Sequence, residues 1–90
     1  MAEELKEMHG LLEQMIQAAK DRRKDELLKL DGLYETLLQR VYSKLDEPLR
    51  LEYDNCRKSC VTAVTMLPHL YESLISDSEE RFSKLPKPKC

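Results

Sequence analysis

Apolar residues recur at alternating intervals of three and four positions through the first half of this chain, which contains no proline before Pro48. That spacing places them along one face of an α-helix, and its mean of about 3.5 residues is the coiled-coil repeat. The two stripes consist of Leu5, Met8, Leu12, Met15 and Ala19, and then Leu27, Leu30, Tyr34, Leu37 and Val41. Further apolar residues widen them: Leu11, Ile16, Leu28, Leu38 and Leu45. Stripes this wide predict amphipathic helices that pack against more than one neighbour.

A charged segment at residues 20–26 separates the two stripes and contains no apolar residue. One interpretation is a single helix over about residues 3–45 with a solvated middle, and the other is a turn near residues 21–25. Because the segment has neither glycine nor proline and consists mainly of good helix formers, the continuous helix is favoured.

Asp46-Glu47-Pro48 is the clearest interruption of the helical pattern. Proline disfavours a helical conformation in the preceding residue and is well placed in the first turn of a helix. Asp46 or Glu47 is therefore predicted at or near the N-cap of a second helix, after a tight reversal at residues 45–48. A new stripe follows: Tyr53, Cys56, Cys60, Ala63, Leu67, Leu70 and Leu74. Since this stripe keeps its phase across Pro68, it predicts a continuous helix that is kinked at the proline.

These patterns predict an all-α fold with a single helical domain at residues 1–85. The favoured architecture is a long antiparallel hairpin with coiled-coil-like stripes, formed by helices at about 3–45 and 48–85. If residues 20–26 form a turn, the architecture becomes a three-helix bundle. Residues 86–90 are predicted to be a mobile tail, because their two prolines cannot continue a helix. A domain of 90 residues buries a modest share of its surface, so a partner or self-association adds stability.

Charge and targeting signals limit the classes of function. The formal net charge is −2, and the two signs alternate along the chain. Nucleic-acid binding needs a concentrated basic face, so it is not expected. No secretory signal and no apolar run of about 20 residues is visible, which predicts no membrane span. Three cysteines cannot all pair within one chain, which favours a reducing compartment. The predicted location is the cytoplasm, with the nucleus left open.

Residue types that carry chemistry are scattered along the chain. Cys56 and Cys60 lie four positions apart and could bind a metal together with His9 or His69. The favoured interpretation is that both thiols are small apolar residues of the core. No glycine-rich phosphate loop and no catalytic constellation is present, so we expect no enzyme activity, no catalytic residue, no bound metal and no cofactor. Ser76 precedes an acidic run typical of a phosphorylation site, although a solvated helix segment explains the same pattern.

Five residues are predicted to bind a partner protein: Tyr42, Leu67, Leu70, Tyr71 and Leu74. Tyr34 and Tyr53 fall within the stripes and are predicted to lie in the core. Tyr42 and Tyr71 flank the stripes, where an aromatic residue is either an interface anchor or part of a wider core.

One stretch of the chain resembles a known family. Asp46 and Pro48 in a turn, about five turns of helix, and then Met66-Leu67-Pro68 followed by Leu70, Tyr71 and Leu74 resemble tubulin-binding cofactor A over residues 46–85. The resemblance implies a small helical chaperone that holds β-tubulin and has a comparable proline in its second long helix. Residues 49–52 depart from the family's usual continuation of the turn, and the N-terminal half of the chain has no motif match.

Three functions follow as hypotheses. The first is a non-enzymatic protein-interaction module, an adaptor or a subunit of a larger complex, which binds another protein or a second copy of itself through helix faces. The second is a chaperone that binds β-tubulin. The third is a helical protein of the membrane surface, which is disfavoured because the polar faces are too acidic to attract anionic lipid. We therefore expect neither a nucleic-acid nor a membrane partner.

Overall fold

The structure, a computed structural model, describes residues 2–87. These residues form four α-helices and no β-strand. The helices are α1 (Ala2–Lys20), α2 (Lys24–Val41), α3 (Glu47–Thr65) and α4 (Tyr71–Lys84). Short 3-10 helices at Tyr42–Lys44 and Pro68–Leu70 precede α3 and α4. The predicted all-α class is confirmed.

The helices form two antiparallel hairpins, α1–α2 and α3–α4, which pack against each other in a bundle. Helices α1 and α3 contact each other and both remaining helices, so α2 and α4 lie on opposite sides of the α1–α3 pair. The bundle measures 36 × 22 × 22 Å. Residues 21–23 and 66–70 connect helices at one end, and residues 42–46 connect them at the other. None of the helices within residues 2–87 is long and apolar enough to cross a membrane.

The predicted stripes form most of the core. All five residues of the Leu27 to Val41 stripe are buried, as are Met8, Leu12, Met15 and Ala19, whereas Leu5 is half-buried. Tyr53, Cys56, Cys60 and Ala63 contribute the buried face of α3. Among the residues predicted to widen the stripes, Leu28 is exposed and Leu11 is half-buried. The buried side chain of Ser78 joins α4 to α3, because its Oγ donates to the Cys56 carbonyl at 2.9 Å.

The favoured continuous helix over residues 3–45 is wrong and the other interpretation, a turn near residues 21–25, is confirmed, since the chain turns between Lys20 and Lys24. Arg22 adopts the left-handed conformation with φ of 56°. Its N–H donates to the Ala19 carbonyl at 3.0 Å, and the Arg23 N–H donates to the Ala18 carbonyl at 2.9 Å. This pair of bonds is the Schellman arrangement that ends many helices. The turn lets α2 fold back and cover the buried face of α1, which a straight helix would leave in water.

The kinked helix through Pro68 is also wrong, because α3 ends at Thr65 and α4 begins at Tyr71. Pro68 lacks an N–H and disfavours the helical region in Leu67, which has φ of −128° and ψ of 63°. The reversal brings α4 antiparallel to α3, so the fold is neither the long hairpin nor the three-helix bundle. Leu67 and Leu70 keep the numerical phase of the α3 stripe but lie outside both helices.

The predicted reversal before the Pro48 helix is confirmed. Asp46 is the N-cap of α3 in an extended conformation, and its backbone carbonyl accepts the Arg50 N–H at 2.9 Å. The Asp46 side chain makes no capping hydrogen bond. After α4, Leu85 is buried and Pro86 and Lys87 are exposed. The rest of the predicted mobile tail, residues 88–90, lies outside the described residues.

Candidate protein-interaction surface

The connection between α3 and α4 exposes large apolar side chains to solvent. All five of its residues, Met66 to Leu70, are exposed, and together they are called the 66–70 connection below. Met66 is 74% exposed, Leu67 37% and Leu70 43%. Pro68 interrupts the helix here, so Leu67 and Leu70, the next residues of the α3 stripe, lie beyond the edge of the core.

Hydrogen bonds within the chain fix the backbone of the 66–70 connection. The Met66 and Leu67 N–H groups both donate to the Thr62 carbonyl, at 3.0 and 2.9 Å. The Leu70 N–H donates to the Leu67 carbonyl at 2.9 Å, which closes the 3-10 turn that starts at Pro68. The apolar side chains therefore project from an ordered turn.

Tyr71 ties the start of α4 to the end of α1. Its hydroxyl donates to the carbonyl of Ala19 at 2.7 Å and to that of Lys20 at 3.0 Å. The last carbonyls of a helix have no partner within the helix, so an outside donor there stabilises the helix end. Tyr71 thereby holds the 66–70 connection beside the turn at residues 21–23.

The Arg22 side chain lies over the face of the Tyr71 ring. Its guanidinium carbon is 3.8 Å from the centre of the Tyr71 ring, a cation–π geometry. Arg23 instead forms ion pairs with Asp21 and Glu26. Within residues 3–87 no ion pair involves Arg22, so its positive charge remains beside the 66–70 connection.

The structure separates the five predicted binding residues. Leu67 and Leu70 are exposed in the 66–70 connection. Tyr71 and Leu74 are half-buried, and the Tyr71 hydroxyl bonds within the chain. Tyr42 is 51% exposed at the opposite end of the bundle. The predicted residues therefore belong to two surfaces.

Tyr42 belongs to a second surface, a groove of about 320 Å³ between α2 and α3. Its lining includes Glu35, Leu38, Tyr42, Glu47, Leu51 and Asp54, and it is called the α2–α3 groove below. Leu51 is 56% exposed, and the Arg50 guanidinium carbon lies 4.5 Å from the centre of the Tyr42 ring. Sequence reasoning missed Leu51 and Met66. The available signal was that each is a large apolar residue outside every stripe.

The core interpretation of Cys56 and Cys60 is confirmed, since both thiols are fully buried. The Cys56 Sγ donates to the Ser78 carbonyl at 3.4 Å and the Cys60 Sγ to the Arg57 carbonyl at 3.2 Å. Burial raises the pKa of Cys56 to about 11 and the pKa of Cys60 to about 12. Both thiols therefore remain protonated and poorly nucleophilic near neutral pH.

Within the described residues, neither histidine makes a hydrogen bond to Cys56 or Cys60. His9 Nε2 lies 2.9 Å from the Tyr53 hydroxyl oxygen, and His69 is exposed in the 66–70 connection. In the part of the chain that the structure describes, no three His, Cys, Asp or Glu residues could together hold a metal ion. Ser76 is exposed on α4, whereas Ser78 is buried.

Comparison of the chain with protein-family models, with curated proteins and with solved structures found no match. The function is therefore inferred from the chemistry and geometry of the chain's own surfaces.

Proposed function

We propose that this protein is an interaction module, an adaptor or a subunit of a larger complex, that binds another protein through the 66–70 connection. The observation that supports the proposal is the exposure of Met66, Leu67 and Leu70 in one short turn. Removing their exposed apolar surface from water is favourable by about 25 cal/mol per Å². Neighbouring exposed apolar side chains on a soluble protein are a sign of an interaction site.

The completed core changes which residues a partner would contact. The stripes from Met8 to Ala19, from Leu27 to Val41 and from Tyr53 to Ala63 are buried within the bundle itself. A partner is therefore not needed to cover these stripes, and the surfaces that remain for binding are the ends and grooves of the bundle. The 66–70 connection suits this role because Leu67 and Leu70 project beyond the packed helices.

Charges of both signs border the connection, since Arg22 and the exposed Glu72 line the same surface. Rim charges mainly set association rate and orientation, while the apolar anchors set the lifetime of the complex. The proposal therefore rests on the apolar residues of the connection.

Affinity capture with a loop variant tests the proposal. The variant Met66→Ser/Leu67→Ser/Leu70→Ser removes the three anchors, and Leu33→Ser on the exposed face of α2 is the matched control. A protein captured by the wild type is identified, purified and measured by calorimetry against all three forms. We expect the loop variant to bind at least about tenfold more weakly and the control to match the wild type. Equal affinity of the loop variant would contradict the proposal.

Self-association of the 66–70 connection is the simplest form of the same function. Sedimentation equilibrium of the wild type and the loop variant measures it directly. A dimer that dissociates in the loop variant identifies the partner as a second copy of the chain. A monomer at every concentration leaves a different protein as the partner.

A tubulin-binding chaperone is a second candidate. Met66, Leu67 and Leu70, which belong to the stretch that resembles tubulin-binding cofactor A, are exposed and accessible to a large partner. Gel filtration of the chain with purified tubulin under conditions that release β-tubulin tests this candidate. We expect the wild type to form a complex with tubulin and the loop variant not to form it. Absence of co-elution with the wild type rejects the candidate.

A further inference from the structure

The α2–α3 groove is a separate surface at the opposite end of the bundle from the 66–70 connection. It runs along α3 from Glu47 to Arg57, a span of about 15 Å at the helical rise per residue. Its floor includes the buried side chain of Leu38. Tyr42 and Leu51 line it while remaining more than half exposed. The groove therefore combines an apolar floor with two apolar side chains that have unused contact surface.

Both cations of the groove bond within the chain, but only Arg57 is paired with carboxylates. Arg57 Nε donates to Asp31 at 2.6 Å, and its Nη1 donates to Asp54 at 3.1 Å. Arg50 Nε donates to the Leu45 carbonyl at 2.8 Å, and its guanidinium lies over the Tyr42 ring. Both positive side chains are thus held by acceptors on α2, on α3 and in the preceding turn.

Two carboxylates of the groove have no such partner. Glu35 and Glu47 are exposed, and neither makes an ion pair or a side-chain hydrogen bond within residues 3–87. Glu35 adds to the negative field around Arg57 but does not contact it. Arg50 also has no carboxylate partner within residues 3–87, so the unpaired charges of the groove are two negative and one positive, and the net charge facing an approaching ligand is negative.

The backbone around the groove restricts the shape of its ligand. Both walls are helices whose backbone groups bond internally, so an extended peptide would find no sheet edge to pair with. A third helix can instead place its side chains between the rows of α2 and α3, as packed helices do. The length of the groove matches about three turns of such a helix.

We propose that the α2–α3 groove binds an amphipathic helix of a partner protein whose apolar face is flanked by lysine or arginine residues. The apolar face covers Tyr42 and Leu51, and the basic flanks pair with Glu35 and Glu47. This inference goes beyond the function proposed above, because it uses a different surface and neither surface requires the other.

A pair of synthetic peptides tests the inference. Both have about fourteen residues with the same leucine face, and their flanking positions are all lysine in one and all glutamate in the other. Fluorescence anisotropy with the full chain is expected to detect the lysine peptide and not the glutamate peptide. Its affinity should fall as salt rises from about 0.05 to 0.3 M, because exposed charge pairs are screened. Equal binding of the two peptides would overturn the inference.

Variants locate the binding. Glu35→Gln/Glu47→Gln should weaken the lysine peptide by about threefold to tenfold. Tyr42→Ser/Leu51→Ser should weaken it by at least about tenfold. The matched control is Glu7→Gln/Leu33→Ser, which makes the same kinds of change in the neighbouring α1–α2 groove and should bind like the wild type. Wild-type affinity in both groove variants contradicts the inference.

Two further measurements keep the inference testable if a variant unfolds. Amide chemical shifts of the wild-type chain should change on peptide addition along α2 and α3 beside the groove and not at residues 66–70. Changes centred on the 66–70 connection would overturn the inference while supporting the proposed function. Sedimentation equilibrium excludes a second copy as the occupant if Tyr42→Ser/Leu51→Ser and the wild type have the same mass. A wild-type dimer lost in that variant would replace the proposed helix with a second copy.

Discussion

The Arg22 guanidinium lies 3.8 Å from the centre of the Tyr71 ring, and the hydroxyl of the same tyrosine donates to the Ala19 and Lys20 carbonyls. One aromatic side chain therefore stabilises both the end of α1 and the turn that follows it. Arg22 makes this contact from a left-handed backbone conformation, a position that usually belongs to glycine. The cation–π contact offsets part of the strain of the backbone.

Substitutions at Arg22 should separate backbone strain from the ring contact. Arg22→Ala keeps the left-handed strain and loses the cation–π contact, so we expect a loss of about 0.5–1 kcal/mol of unfolding free energy. Arg22→Gly also loses the contact but relieves about 1 kcal/mol of strain, which leaves stability near the wild type. Urea unfolding of the two variants measures the difference.

A control for the Arg22 pair uses an ordinary helical position. Lys29 is exposed within α2, so Lys29→Gly should be about 1 kcal/mol less stable than Lys29→Ala. The order of glycine and alanine is thus expected to reverse between residues 22 and 29. The same order at both positions would argue against strain at Arg22.

Removing the Tyr71 hydroxyl should destabilise the bundle. Tyr71→Phe keeps the ring under Arg22 but removes the hydroxyl donor from the Lys20 carbonyl and leaves the Ala19 carbonyl with the Arg22 N–H alone, at a cost of about 0.5–1.5 kcal/mol. Tyr42→Phe is the matched control, because that exposed hydroxyl makes no hydrogen bond within the described residues. Thermal unfolding of both variants should show a lower Tm for Tyr71→Phe alone.

Tyr34→Phe should have the opposite effect. Tyr34 is fully buried, and its hydroxyl has no hydrogen-bond partner among the residues that the structure describes. Burial raises the pKa of Tyr34 well above its usual value. An unpaired buried hydroxyl costs about 1–3 kcal/mol, so its removal should leave the unfolding free energy unchanged or raise it. Destabilisation by more than about 1 kcal/mol in urea would indicate an internal partner such as a buried water.

His9 should make the stability fall in mild acid. Burial lowers the pKa of His9, a backbone hydrogen bond at Pro86 partly opposes that shift, and Lys87 adds to it. The folded state therefore binds the proton less well than the unfolded state. The stability associated with neutral His9 is complete above the ordinary pKa of 6.5 and is lost as the pH falls below it, until the folded state is also protonated.

Urea unfolding between about pH 5 and 7.5 measures the His9 effect. His9→Gln should flatten this part of the pH profile, and His69→Gln at an exposed position should retain the wild-type profile. Protonation makes both ring nitrogens donors, so Nε2 of the charged ring can only donate to the Tyr53 hydroxyl oxygen. An unchanged slope in His9→Gln would assign the pH dependence to carboxylates.

The sequence predicted the core better than the connections. The stripes from Met8 to Ala19, from Leu27 to Val41 and from Tyr53 to Ala63 are all buried, because helical periodicity follows directly from which residues must leave water. The turn at Arg22 was the second of two interpretations of the charged segment at residues 20–26, because that segment lacks apolar residues but also lacks glycine and proline. What the local pattern did not contain is the bond from the Tyr71 hydroxyl to the Lys20 carbonyl, about fifty residues away in the chain.

The candidate surfaces were predictable only in part. Leu67 and Leu70 were predicted to bind a partner, but as members of a helix that Pro68 in fact ends. Leu51 and Met66 were missed because exposure of a single apolar residue depends on how the helices pair. The charge of the α2–α3 groove could not be predicted from the sequence, because it depends on the three-dimensional pairing of Arg57 with Asp31. That ion pair neutralises the positive charge of Arg57 within the chain.

The exposure of the 66–70 connection has a consequence for how the sequence can change. Met66 is the most exposed of its apolar residues, so substitutions there should change the surface with small effects on folding, whereas Leu67 and Leu70 are more than half covered by the chain. The helices can thus serve as a constant scaffold on which this turn diversifies, through evolution or by design, toward new partners.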